Sequence, residues 1–152
     1  MGLDTQIQLV LGIPFWEIAD TPEKQNLSRT RYDRKTGEPH EEKYTAWSIK
    51  LANGDKLERG SSMGSDDFNI EEYFEKHGLQ SSGENPSNGI IGKIIKKGDC
   101  VCGAQTNFVA MPNDEEIQKV YYETLEKLKK WGVSDDVINK HFKIYAVLYA
   151  SY

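Results

Sequence analysis

The fold class is decided by residues 113–132, NDEEIQKVYYETLEKLKKWG. Asn113 and Glu116 match the cap and third position of a capping box, and Gly132 is the residue type that commonly follows a helix. Side chains suited to a core recur at helical spacing and form one stripe: Ile117, Val120, Tyr121, Thr124, Leu125, Leu128 and Trp131. The stretch therefore predicts an amphipathic helix over 114–131 that packs on the rest of the chain.

On the C-terminal side of this helix, the sequence predicts a short second helix and a strand. Ser134 is placed to cap a helix over 135–142, and KIYAVLYAS, residues 143–151, has the composition of a strand. Apolar side chains fall on both faces of this strand, which is typical of a central strand or of an edge covered by another subunit. Tyrosine is enriched at interfaces, and three tyrosines, Tyr145, Tyr149 and Tyr152, fall within the last eight residues. We therefore predict a homo-oligomer.

Before the long helix, most of the chain is predicted to form strands joined by turns. Asn53-Gly54 predicts a two-residue hairpin turn, and 36–39 the tip of a longer hairpin. A helix over 69–77, capped by Asp66 or Asp67 and ended by Gly78, precedes a loop over 80–89. The predicted strands are 6–11, 27–33, 43–51, 55–59, 90–97 and 100–110, with a turn at Gly98-Asp99. This order predicts one compact α+β domain over residues 1–152, with a mainly antiparallel sheet on which helix 114–131 and shorter helices pack.

Length and composition fit a single folded domain. The chain has 152 residues, of which 38% are hydrophobic, and it contains three Trp, eight Tyr and five Phe, which argues against disorder. No apolar run approaches the roughly 18 residues of a membrane span, and the N-terminus lacks the basic lead of a signal peptide. We therefore expect a soluble, cytoplasmic protein with no membrane partner.

The charge balance and the cysteines exclude two further kinds of site. The 19 basic and 24 acidic residues give a formal charge of -5, whereas a protein that coats a long nucleic acid needs an excess of Lys and Arg. Cys100 and Cys102 are too few and wrongly spaced for a zinc site, so we expect buried thiols. The sequence predicts no metal, no cofactor and no long nucleic acid as partner.

Known catalytic motifs are missing from the sequence. It contains no nucleophile elbow, no phosphate-binding loop and no zinc-deaminase pattern, and its three histidines are scattered singly. Its paired carboxylates fall at predicted helix starts or on their solvent faces, where acids stabilise the helix dipole. The sequence therefore favours a binding protein over an enzyme and indicates no catalytic residue.

The candidate binding site is RTRYDRK, residues 29–35, which holds four basic residues and one acid in an acidic protein. Arginine forks bind phosphate bidentately and stack on flat bases, and aromatic rings supply further stacking surfaces. The alternative is a solvated hairpin whose arginines pair with Glu38, Glu41 or Glu42, with Trp47 in the core. The predicted ligand-binding residues are Arg29, Arg31, Tyr32, Arg34, Lys35, Tyr44 and Trp47.

Three stretches carry a resemblance to known proteins: MGLDTQIQLVLGIPFWEI at 1–18, RYDRKTGEP at 31–39 and KIYAVLYAS at 143–151. They resemble small proteins of large tailed phages, which often act in host takeover or against host defence. In size and lack of a catalytic motif, the chain is similar to anti-CBASS sponges. The resemblance implies a non-enzymatic immune-evasion protein in the host cytoplasm. Such a protein sequesters a cyclic oligonucleotide in pockets of a homo-oligomer, with arginines on the phosphates and aromatics on the bases.

Two other functions remain open from the sequence. One is a direct protein inhibitor of a host defence enzyme, in which surface carboxylates mimic nucleic acid. The acids here are spread along predicted helices and interleaved with Lys, which counts against such mimicry. The other is a nucleotide-processing phosphodiesterase whose catalytic groups converge in space without a recognisable motif.

Overall fold

The computed structural model describes residues 4–60, 68–83, 88–100 and 110–151. The helices are α1 (Ile70–Glu75), α2 (Asp114–Trp131) and α3 (Asp135–His141). The strands are β1 (Asp4–Pro14), β2 (Glu23–Tyr32), β3 (Pro39–Lys50), β4 (Lys56–Gly60), β5 (Gln80–Ser82), β6 (Ile90–Cys100) and β7 (Lys143–Ser151). All pairings between these strands are antiparallel, so the α+β class is confirmed.

Backbone contacts divide the chain into two compact units, which we describe separately. The helical unit, residues 1–18 and 70–152, contains α1, α2 and α3 and a four-stranded sheet in the order β5-β6-β1-β7. The hairpin unit, residues 19–69, contains a three-stranded sheet in the order β2-β3-β4. Whether the chain folds as one domain stays a prediction.

The core of the helical unit is built around β1 and the two longer helices. Val10, Leu11 and Ile13 of β1 are buried, because β6 and β7 flank this strand and α2 and α3 contact it. The ring of Phe74 in α1 lies with its centroid 5.5 Å from that of Trp131 in α2. Burial of apolar side chains from separate elements is the main force that holds such a unit together.

The long helix predicted from local signals is confirmed at both ends. The Asn113 side chain accepts a hydrogen bond of 2.9 Å from the backbone N–H of Glu116, as the capping box requires. Gly132 ends the helix with a φ of 127° and donates its N–H to the carbonyl of Leu128. None of the helices in the described part of the chain is long and apolar enough to cross a membrane.

The predicted end of the first strand at residue 11 is wrong, because β1 continues through Gly12 to Pro14. Gly12 lies opposite Gly92 of β6, and a Cβ at position 12 would collide with the carbonyl oxygen of Ile91. The glycine therefore permits a close approach of two backbones and does not mark a turn. The predicted turn at Gly98-Asp99 is also wrong, since both residues pair with β1.

Several predicted boundaries differ from the structure. β2 begins at Glu23, within a polar run, and the predicted loop over 80–89 contains β5, whose backbone pairs with β6. Pairing across the sheet overrides weak local propensity at both places. Asp66, Asp67 and the part of predicted strand 100–110 between 101 and 109 lie outside the described residues.

The last strand lies at a sheet edge and not at the centre. Within the described strands, β7 pairs on one side only, with β1, which corresponds to the second of the two predicted alternatives, an edge strand. Leu148 of this strand is 67% exposed. The homo-oligomer that would cover this edge stays a prediction.

Candidate ligand-binding site on the β2–β3 hairpin

The predicted binding stretch forms the end of a long hairpin. The pairing of β2 with β3 begins with Glu23 opposite Ser48 at the base of the hairpin and ends with Tyr32 opposite Pro39 near the tip. At the tip, the Asp33 carboxylate accepts hydrogen bonds from the backbone N–H groups of Lys35, at 2.7 Å, and Thr36, at 3.1 Å. These two hydrogen bonds lower the pKa of Asp33 below its ordinary value. The tip is therefore a defined turn.

One face of the hairpin gathers two of the predicted arginines. Because side chains alternate along a strand, Arg29 and Arg31 share a face with Tyr44, Glu42 and His40 of β3. The Nε atoms of Arg29 and Arg31 lie 3.0 Å and 2.7 Å from the same oxygen of Glu42. The Arg29 guanidinium also lies 5.0 Å from the centre of the Tyr44 ring. We call these five residues the arginine face.

Glu42 is an internal anion on which two guanidinium groups converge. The hydrogen bond from Arg29, followed by the charge of Arg31, holds the pKa of Glu42 below its ordinary value. In the structure, Arg29 and Arg31 both pair with Glu42. This pairing is the one that the alternative interpretation, a solvated hairpin, predicts for these two arginines. Such partly exposed ion pairs contribute little to stability.

Trp47 lies on the opposite face of the sheet. It pairs with Lys24 of β2 and Arg59 of β4, whose cationic groups lie 5.9 Å and 5.7 Å from the indole centre. The Arg59 guanidinium also lies 5.0 Å from the Phe68 ring. Tyr32 shares this second face by strand alternation and is 68% exposed.

The structure therefore does not bring all seven predicted residues together. Arg29, Arg31 and Tyr44 meet on the arginine face, whereas Tyr32 and Trp47 lie on the opposite face. Arg34 and Lys35 are exposed at the tip. Two cations that the sequence interpretation missed, Lys24 and Arg59, flank Trp47.

The predicted length of the turn between β3 and β4 is wrong, and with that length Arg59 does not lie opposite Trp47. The Leu51 N–H donates to the Asp55 carbonyl at 2.7 Å, so these two residues close a three-residue loop, 52–54, where a two-residue turn is predicted. Gly54 takes a φ of 94° at the end of this loop, as three-residue hairpin loops require. The extra residue shifts the register by one and places Arg59 opposite Trp47.

A surface groove of about 470 Å³ runs along the hairpin. This volume lies in the range of small-molecule sites. Lys43 supplies a cation and Glu41 a carboxylate to its wall. The lining residues are Asn26, Leu27, Ser28, Glu41, Lys43, Tyr44 and Thr45.

The arginines of the chain are confined to one of the two units. All four arginines of the chain, Arg29, Arg31, Arg34 and Arg59, lie in the hairpin unit, whereas the ten basic residues elsewhere are all lysines. Arginine is the side chain suited to planar, bidentate recognition of phosphate and to stacking on rings. Its confinement to this unit favours the hairpin as the recognition surface.

Comparison with known proteins gives no match: no family model, curated protein or solved structure matches the chain. In the ranges that the structure describes, no group of three or more His, Cys, Asp or Glu is placed to hold a metal ion. Cys102 and the side chain of Cys100 lie outside those ranges.

Proposed function

We propose that the protein binds a cyclic oligonucleotide on the arginine face and holds it without hydrolysing it. The observation that carries this proposal is the convergence of Arg29 and Arg31 on one oxygen of Glu42. A phosphodiester presents the same single negative charge and oxygen acceptors as a carboxylate. It can therefore take the place of Glu42 between two guanidinium groups that are already oriented.

The aromatic ring of the arginine face supports a nucleotide as the ligand. The Arg29 guanidinium lies 5.0 Å from the centre of the Tyr44 ring, and guanidinium groups and aromatic rings both offer planar surfaces on which a base can stack. Phosphate contacts from Arg31 and base stacking at Arg29 would then act together on one ligand. The cyclic form and the role in phage immune evasion, within the host cytoplasm, come from the resemblance.

The first experiment compares two arginines of the same hairpin by calorimetric titration with cyclic di- and trinucleotides. Arg31→Ala should weaken binding about tenfold or more, because charge-assisted hydrogen bonds contribute about 1.5–3 kcal/mol. Arg34→Ala removes the same charge from the exposed tip and should weaken binding less than about threefold. Equal losses would mean general charge attraction, and no binding by the parent protein would overturn the proposal.

The second experiment compares neighbouring glutamates on opposite faces. Glu42→Gln removes the internal competitor for Arg29 and Arg31 and should tighten binding, whereas Glu41→Gln should leave it nearly unchanged. Chromatography of the bound ligand then separates a sponge from a phosphodiesterase. Recovery of intact cyclic ligand after prolonged incubation supports sequestration, and accumulation of linear product contradicts it.

We also propose that a second copy of the chain covers the β7 edge. A nine-residue edge strand with a single charged residue, Lys143, is a ready template for antiparallel pairing. Light scattering should give an oligomer for the parent protein. Leu148→Lys, which places a charge at an exposed position of that strand, should give a monomer. A monomeric parent at micromolar concentration would contradict this part of the proposal.

A further inference from the structure

A separate basic pocket lies in the helical unit, beside the C-terminal ends of α1 and α2. It encloses about 360 Å³, and its described lining residues are Lys76, His77, Lys127, Lys130 and Trp131. Three lysines and a histidine from two parts of the sequence thus converge on one concavity. No carboxylate is among these described lining residues.

The side chain of Lys127 passes close to Gly78. Gly78, which follows α1, has a φ of 73°, and a Cβ built there would lie 3.4 Å from Cε and 3.6 Å from Nζ of Lys127. The lysine stem therefore crosses the chain just beyond the end of α1.

The floor of the pocket is an aromatic cluster. Trp131 is only 6% exposed, and its Nε1–H donates to the Tyr73 hydroxyl at 3.0 Å. The rings of Tyr73 and His77 lie 4.9 Å apart. The lining of the pocket thus combines a packed indole and an imidazole with three lysine side chains.

In the described part of the chain, the three lysines of the pocket form one ion pair. Within the described part of the chain, Lys76 approaches Glu72 at 4.0 Å, while Lys127 and Lys130 form no ion pair. The C-terminal dipoles of α1 and α2 stabilise cations near them. That effect accounts for lysines on each helix end, but it does not require them to meet around a common concavity.

We propose that this pocket binds a small molecule with a terminal phosphate group. A phosphate monoester carries close to two negative charges near pH 7, which matches three ammonium groups better than the single charge of a phosphodiester does. The volume lies at the lower end of small-molecule sites and suits one phosphorylated metabolite. The site is distinct from the arginine face and does not depend on its function.

The experiment uses inorganic phosphate as the probe and the tryptophan indole N–H signals of the full chain as reporters in NMR spectra. The Trp131 signal reports on the pocket and the Trp47 signal on the hairpin. Trp16, which is 51% exposed, serves as a reference. We expect a saturable shift of the Trp131 signal, with the Trp16 and Trp47 signals nearly unmoved.

Two variants on α2 test the assignment. Lys127→Gln should weaken phosphate binding about threefold to tenfold, because it removes one of the converging charges. Lys119→Gln makes the same change on the same helix outside the pocket and should alter binding less than about twofold. Glutamine is a good helix former, so both variants keep the helix.

Each of the following outcomes would contradict the proposed phosphate-binding pocket. Equal weakening by the two variants would mean general charge attraction, and the absence of a saturable shift would mean no site. A shift confined to Trp47 would place phosphate on the hairpin unit, which contradicts the pocket and leaves the proposed function standing. Binding of a single-stranded oligonucleotide that is tighter than phosphate and sensitive to Lys127→Gln would replace the small molecule with a nucleic acid.

Discussion

The helical unit and the hairpin unit differ in how their large side chains are buried and in where the arginines lie. Among the largest fully buried side chains of the described residues, only Ile49 lies in the hairpin unit, and the others, such as Phe15, Phe74 and Leu128, lie in the helical unit. The hairpin unit instead holds every arginine of the chain. Substitutions in the helical unit should therefore change the free energy of unfolding, and those on the hairpin should change binding.

The two units also differ in their balance of acidic and basic residues. Residues 19–69 carry nine basic and ten acidic side chains, whereas the rest of the chain carries ten basic and fourteen acidic ones. The acidity of the protein thus lies mainly outside the hairpin unit. Because net charge sets the field that an approaching ion meets, an anionic ligand is repelled less by the hairpin unit.

The largest expected effect is the loss of an aromatic side chain from the helical core. Phe74 is fully buried and packs against Phe15 and Trp131, so Phe74→Ala should lower the free energy of unfolding by about 3–5 kcal/mol. Tyr32→Ala removes a ring that is 68% exposed and should change it by less than about 0.5 kcal/mol. Urea denaturation of both variants measures the difference, and similar losses would contradict the division between the units.

The second prediction compares two glycines that serve different purposes. Gly12→Ala forces a methyl group into the backbone of β6, so it should destabilise the protein by about 2–3 kcal/mol or more. Gly54→Ala strains a φ of 94° but meets nothing within 4 Å, so its cost should stay near 1 kcal/mol. If denaturation shows Gly54→Ala to be the more damaging change, the close approach of β1 and β6 is wrong.

Local signals were sufficient for the long helix and insufficient for the sheet. The cap at Asn113, the stripe and Gly132 all lie within one stretch, so the bounds of α2 could be predicted from it. In the sequence alone, Gly12 indicates the end of a strand. The structure shows that Gly92, eighty residues later, lies opposite it. The length of the β3–β4 loop likewise depends on pairing that Asn53-Gly54 alone does not specify.

Only those parts of the candidate site whose residues lie close together in the sequence could be predicted. Arg29, Arg31 and their partner Glu42 belong to adjoining strands of one hairpin, so a nearby glutamate could be anticipated. Strand alternation alone places Tyr44 and Trp47, three residues apart, on opposite faces. The basic pocket could not be foreseen, because its two halves are separated by about fifty residues of sequence.

The third prediction concerns a helix cap, for which the hairpin unit has no described equivalent. Asn113→Ala removes the acceptor for the Glu116 N–H and should cost about 1 kcal/mol. Asn139→Ala changes an exposed asparagine within α3 and should cost nothing or stabilise slightly, since alanine is the better helix former. Thermal and urea unfolding of both variants test this, and an equal loss at Asn139 would argue against the cap.

The fourth prediction is an alkaline loss of stability that originates in the helical unit. Burial, followed by the charge of Glu17, raises the pKa of Tyr145 above its ordinary value of 10.0. The folded state therefore keeps the phenol proton where the unfolded state loses it, and this contribution falls as the pH rises above 10. The stability difference between the parent and Tyr145→Phe should shrink across that range. A difference that grows with pH would contradict the raised pKa.

The smallest expected effect is an acid loss of stability that originates on the hairpin. The hydrogen bond from Arg29 and the charge of Arg31 lower the pKa of Glu42 from its ordinary value of 4.5. The folded state therefore favours the carboxylate, and its contribution is complete above pH 4.5 and is lost as the pH falls through the lowered value. Glu42→Gln should flatten this part of the pH dependence of urea unfolding, while Glu41→Gln should leave it as in the parent protein. Because the ion pairs are partly exposed, 1 M salt should shrink the difference between the two variants. If Glu42→Gln instead lowers stability as much as Phe74→Ala, the arginine face is part of the packed framework, and the division between the two units fails.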